Sequence, residues 1–113
     1  MKIYHNPRCR KSRETLQLVE SKGHQPEIIL YLEDTPSQDE LRSIINLLGI
    51  APYDLIRRGE AIFKEKFKGK SLSDDEWIQA MIDHPKLIER PIVVTEKGAA
   101  IGRPPENVLS IIS

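Results

Sequence analysis

The stretch from Lys2 to Leu32 restricts the fold more than any other part of the chain. Lys2-Ile3-Tyr4 reads as a short strand that runs into a turn at His5-Asn6-Pro7. From Cys9 onward, Thr15, Leu16, Leu18 and Val19 recur at helical spacing, and Lys22-Gly23 supplies a basic last turn and a stop. Glu27-Ile28-Ile29-Leu30-Tyr31-Leu32 is a nearly continuous apolar run, the pattern of a buried parallel strand. Strand, helix and strand in this order make a βαβ unit with a right-handed crossover. Such a unit leaves one helix face and a sheet to be covered by the rest of the chain.

The remainder divides into helices and a terminal hairpin. Thr35 to Glu40 carries helix-start signals: the Ser37…Glu40 capping-box spacing, with Pro36 near a first turn. Leu41, Ile44, Ile45 and Leu48 follow at helical spacing and Gly49 closes the helix. One or two short helices are expected within Tyr53–Lys66. Ser73-Asp74-Asp75-Glu76 opens a further helix through Trp77, Ile78, Met81 and Ile82 that stops before Pro85. Pro91–Thr95, a turn at Glu96-Lys97-Gly98 and Ala99–Ile101 read as a β-hairpin. Pro104-Pro105 then starts a last helix bearing Val108, Leu109 and Ile112. The expectation is one α/β domain over residues 1–113, with a helical insertion at about 34–88.

Composition excludes several classes. The 17 Lys and Arg residues equal the 17 Asp and Glu, so overall charge argues against a general nucleic-acid binder. No run approaches the ~20 apolar residues of a membrane helix. No apolar stretch follows Met1, which points to a cytoplasmic address. The chain has one cysteine, Cys9, and one thiol makes neither an internal disulfide nor a cysteine-based zinc site.

The chemistry therefore centres on His5-Asn6-Pro7-Arg8-Cys9-Arg10-Lys11-Ser12-Arg13. This segment puts Cys9 at or near the start of the first helix, where the helix dipole, free backbone N–H groups and neighbouring cations favour thiolate. Arg8, Arg10, Lys11 and Arg13 cluster there in a chain of zero net charge. The same groups suit an oxyanion. A lone cysteine is ordinarily a small buried apolar residue, but a core cysteine is seldom bracketed by arginines. Ser12 is placed to donate a hydrogen bond to the sulfur, and His5 either orients the loop or tunes the thiol. Arg90 before Pro91, Arg103 before Pro104-Pro105, and the Arg57-Arg58 pair in the insertion form a second set, with a planar fork suited to a tetrahedral oxyanion. Taken singly, each also reads as surface charge. Trp77 and Met81 read as core, and His24 and His84 have no metal-ligand spacing.

His5-Asn6-Pro7-Arg8-Cys9 with Ser12-Arg13, Arg90-Pro91-Ile92-Val93-Val94, and Arg103-Pro104 before a helix resemble the glutaredoxin-coupled arsenate reductases. The match is collinear over essentially the whole chain and takes in Tyr31-Leu32-Glu33 and Leu55-Ile56-Arg57. The resemblance implies an α/β thioredoxin-like fold, a four-stranded mixed sheet with a helical insertion. It implies that Cys9 attacks arsenate, that Arg57, Arg90 and Arg103 bind the oxyanion, and that His5 lowers the thiol pKa. A cis peptide would fall at Arg90-Pro91. Glutathione would be the co-substrate and glutaredoxin the partner, with no metal, flavin, nucleotide, nucleic acid or membrane involved. Similar proteins include an RNA-polymerase-binding regulator, whose redox relatives carry a second cysteine where this chain has Ser12; its absence favours the enzyme. Glutathione-dependent thiol transfer to another oxidised substrate is a third reading.

Overall fold

β1 (Lys2–Tyr4), α1 (Arg10–Ser21) and β2 (Glu27–Ile29) form the expected unit in the computed structural model, which describes residues 1–112. β1 and β2 run parallel, with Ile3 opposite Ile28. The second strand is shorter than the apolar run that announced it. The His5 N–H donates to the Ile29 carbonyl at 2.9 Å, and the chain from Asn6 then turns away, leaving Leu30 no partner strand. The Leu30 carbonyl instead accepts from the N–H groups of Glu33 and Asp34. Nor is this strand buried: it lies at the sheet edge, and Ile28 is 47% exposed. Apolar run length alone does not separate an edge strand from a central one.

The chain's contacts fall into two units, one comprising Met1–Asp34 with the segment from Arg90 onward and the other Thr35–Glu89. In the second unit, Ser37 caps α2 (Gln38–Leu48) by accepting the Glu40 N–H, and Gly49 ends it at φ +70°. Pro36 lies just before the cap and not in the first turn. A 3-10 turn at Pro52–Leu55 and α3 (Ala61–Lys66) are the two short helices. α4 (Asp74–Asp83) opens with a reciprocal box: the Glu76 N–H donates to Ser73 Oγ, and the Ser73 N–H donates to Glu76 Oε1. That backbone hydrogen bond holds the Glu76 carboxyl below the usual range. Leu41, Leu55, Met81 and Leu87 are fully buried, and Trp77 stands among Tyr53, Phe63 and Phe67 with ring centroids 5.0–6.2 Å away. Trp77 and Met81 are core residues, as their spacing predicts. An antiparallel bridge pairs Ile56 with Ile88, and beside it the Arg57 N–H donates to the Leu87 carbonyl at 2.7 Å.

In the first unit, β3 (Ile92–Thr95) pairs antiparallel with β1, and β4 (Gly98–Ile101) pairs with β3. The sheet order is β2-β1-β3-β4, a mixed four-stranded sheet as expected. Gly98 belongs to β4, opposite Thr95, so the hairpin turn is Glu96-Lys97 alone. Gly98 has φ +138°, a conformation that costs glycine little and L side chains much. After Pro104, a 3-10 turn (Pro105–Val108) leads into α5 (Leu109–Ile112). Ile3, Val19, Val93, Val108 and Ile112 form one buried cluster, with Leu16 and Leu18 packed on it. Leu109, expected on the apolar face, is exposed.

α1 meets the hairpin end closely. The Thr15 hydroxyl, fully buried, lies 2.8 Å from the Lys11 carbonyl and 3.2 Å from the Gly102 carbonyl. A Cβ on Gly102 would fall 2.8 Å from Thr15 Cγ2 and 2.9 Å from Pro91 Cγ, and would also overlap Thr15 Oγ1. Gly102→Ala is expected to lower stability by about 1–3 kcal/mol through overpacking, read as a shift of the urea midpoint at unchanged slope.

Candidate active site

The loop between β1 and α1 is short, and its polar groups are tied down locally. The Asn6 side-chain oxygen accepts the Arg8 N–H at 3.0 Å, and the Asn6 carbonyl accepts the Cys9 N–H at 3.0 Å. Cys9 is the N-cap of α1, with φ −95° and ψ 123°, and its carbonyl accepts the Arg13 N–H. The Arg13 guanidinium donates back to the Pro7 carbonyl at 2.9 Å. The thiol thus stands at the N-terminus of a 12-residue helix, the end that carries partial positive charge and favours anions. Cys9 is 8% exposed.

The guanidinium that reaches the sulfur comes from far along the chain. Arg103 Nη1 lies 3.7 Å from Cys9 Sγ and 3.5 Å from the Arg90 carbonyl oxygen. Among the cations next to Cys9 in sequence, Arg10 pairs with Glu14 at 3.0 Å, and Lys11 lies 3.9 Å from the same carboxylate. Arg13 holds Pro7. Helical spacing explains the first two, since Glu14 lies four positions from Arg10 and three from Lys11 on the same face. The Arg90-Pro91 peptide is cis, as the resemblance implies, and Arg103-Pro104 is cis as well.

Ser12 does not donate to the sulfur. Its hydroxyl oxygen lies 2.7 Å from His5 Nδ1 and accepts the Asn6 N–H at 3.0 Å. Ser12 is on the buried face of α1, fully enclosed, where it meets the end of β1. His5 is itself buried. Burial pushes its pKa below the ordinary 6.5, the Arg13 charge adds to that, and Glu20 opposes it.

Arg57 belongs to the second unit. There its guanidinium faces Glu89 at 3.5 Å and Glu60 at 3.6 Å, with the side chain 24% exposed. Within the first unit the structure therefore brings together Cys9, Arg103 and the Arg90 backbone at one point, and His5 with Ser12 at another. Among the described residues, no group of three or more His, Cys, Asp or Glu is placed to hold a metal ion. One feature had no sequence signal: a cavity of about 260 Å³ lined by His5, Asn6, Pro7, Arg8, Leu30, Leu32 and Glu33. Leu30 and Leu32 read as strand core, whereas they line this opening. A sulfur at a helix N-terminus, with a guanidinium against it, can attack an electrophilic centre while the cation takes up the oxyanion's charge.

A profile described as the ArsC family matches residues 4–111. The chain is 51% identical to the Escherichia coli protein named only as uncharacterized protein YfgD, with 99% of this chain and 96% of that one covered. It is 48% identical to the arsenate reductase of Haemophilus influenzae, with 97% of both covered. The solved structure of an arsenate reductase from Vibrio cholerae superimposes with a TM-score of 0.94 at 52% identity, covering 97% of this chain and 95% of that one.

The lowered His5 pKa has a consequence for folding. Below pH 6.5 an unfolded histidine binds a proton that the folded one does not, so stability falls as pH drops from there toward the folded-state value. The urea midpoint of the wild type is expected to fall more than that of His5→Gln between about pH 7.5 and about pH 5.5. Parallel pH dependence in the two proteins contradicts it.

Proposed function

Because the chain belongs to the ArsC family, we propose that it reduces arsenate to arsenite in a thiol cycle with Cys9 as the nucleophile. The observation that carries this reading is the Arg103 guanidinium at 3.7 Å from the Cys9 sulfur, at the N-terminus of α1. The sulfur attacks arsenic, an arsenate oxygen leaves as water, and a Cys9–arsenate adduct forms. Arg90 and Arg103 neutralise the oxyanion, and the resemblance adds Arg57 to that set. Glutathione then attacks. Arsenic gains two electrons and leaves as arsenite, while the two sulfurs, one from Cys9 and one from glutathione, are left as a mixed disulfide. Cys9 is the chain's one cysteine, so the resolving thiol comes from outside; glutaredoxin then returns Cys9 to the thiol by exchange. The reaction belongs in a glutathione-rich compartment, the cytoplasm.

Turnover is tested with arsenate, glutathione and glutaredoxin, beside the same mixture offered a small disulfide in place of arsenate. Arsenate-dependent oxidation of the thiol pool supports the reading; turnover with the disulfide alone replaces it with thiol transfer. Cys9→Ser is expected to abolish arsenate reduction with the fold intact by circular dichroism. Arg57→Ala, Arg90→Ala and Arg103→Ala each remove a charge-assisted contact of about 1.5–3 kcal/mol, or roughly ten- to a hundredfold in kcat/KM. Three variants with wild-type kinetics would return the arginines to surface charge.

A further inference from the structure

The contact between Ser12 and His5 fixes more than position. A serine hydroxyl has one proton to donate and two lone pairs to accept with. At Ser12 one lone pair is taken by the Asn6 N–H at 3.0 Å. The other close group is His5 Nδ1 at 2.7 Å, and among the described residues Ser12 has no further side-chain hydrogen bond. The residue is fully enclosed, so water does not supply an acceptor.

We propose that Ser12 is a positioning residue that donates its hydroxyl proton to His5 Nδ1 and thereby holds the ring as the neutral tautomer protonated at Nε2. Protonating Nδ1 would turn that nitrogen into a second donor aimed at Ser12 Oγ. The hydroxyl proton would then be left in a closed space with nothing to receive it, and a buried donor without an acceptor is costly. The charged groups around the ring point the same way on balance. Arg13 on α1 disfavours the imidazolium and Glu20 on α1 favours it, while Arg8 and Glu33, of opposite sign, share the cavity wall with His5. Within the first unit, the positive side chain seen against the sulfur is that of Arg103. His5 contributes a single uncharged N–H donor, the one ring group not committed to the loop. This deepens the proposed reductase reading and rests on it for its catalytic consequence: His5 serves as a neutral donor and not as a second cation beside the thiol.

The test is a long-range ¹H–¹⁵N correlation spectrum of the ¹⁵N-labelled full chain, with His5 told from His24 and His84 by its loss in His5→Gln. The expected wild-type pattern has Nε2 protonated and Nδ1 bare near neutral pH, with a titration midpoint below that of a free histidine. In Ser12→Ala the midpoint moves up, the tautomer preference is lost and the Asn6 amide exchanges faster with solvent. Ser12→Thr, which keeps the hydroxyl, restores the pattern. A wild-type ring protonated at Nδ1 overturns the proposal, as does a Ser12→Ala spectrum unchanged in both tautomer and midpoint. Should Ser12→Ala not fold, the wild-type spectrum decides by itself. Arsenate turnover is scored separately on the same preparation. Turnover with the Nδ1–H pattern sinks this inference and leaves the reductase standing, whereas the Nε2–H pattern without turnover upholds the tautomer and removes the reductase.

Discussion

The contact of the Thr15 hydroxyl with the Gly102 carbonyl ties together the two segments on which the site depends. Thr15 lies on the buried face of the same helix that carries Cys9 at its cap, and Gly102 directly precedes Arg103. The lack of a side chain at Gly102 lets the hairpin end approach α1 within hydrogen-bonding distance. Arg103 then leaves the hairpin beside the helix N-terminus, and its guanidinium meets the sulfur. The cis peptide after Arg103 and the turn of helix that follows complete the same corner. The site is an outcome of how one helix packs on one hairpin.

Two separate tasks are divided between neighbouring polar groups in the first unit. Positive charge at the sulfur is supplied by an arginine and a helix terminus. The histidine, which could titrate near neutral pH, is buried and engaged by a serine. Arg10 and Lys11 are occupied with Glu14 on the exposed side of α1. Cations next to a cysteine in sequence thus need not stand next to it in space, because helical geometry sends successive residues to different faces.

The elements were legible where the signal is local. Ser73 and Glu76 form a capping box because the two hydrogen bonds involve residues three apart, and Gly49 ends its helix because a single residue can satisfy the left-handed position. The hairpin was legible too, although Gly98 joins the strand instead of the turn. β2 is shorter and more exposed than its apolar run predicts. Its end is set by where β1 turns away after Tyr4, 25 residues before Ile29 in the chain. The cavity beside His5 had no counterpart in the sequence, since a void is defined by which side chains fail to meet.

Taken alone, the sequence determined the candidate nucleophile, the presence of a single thiol and the order of strands and helices. Those follow from residue type and from periodicities shorter than two helical turns. It also named Cys9, His5, Ser12, Arg57, Arg90 and Arg103 as the groups to watch. Their partnerships were decided by tertiary structure. Cys9 and Arg103 are 94 residues apart, and no spacing rule spans that distance. Ser12 faces His5 and not the sulfur, because the packing of α1 against β1 closes over that face and leaves the histidine ring as the hydroxyl's neighbour. A sequence names donors and acceptors, but only a folded chain pairs them, since pairing depends on which groups are excluded from water together.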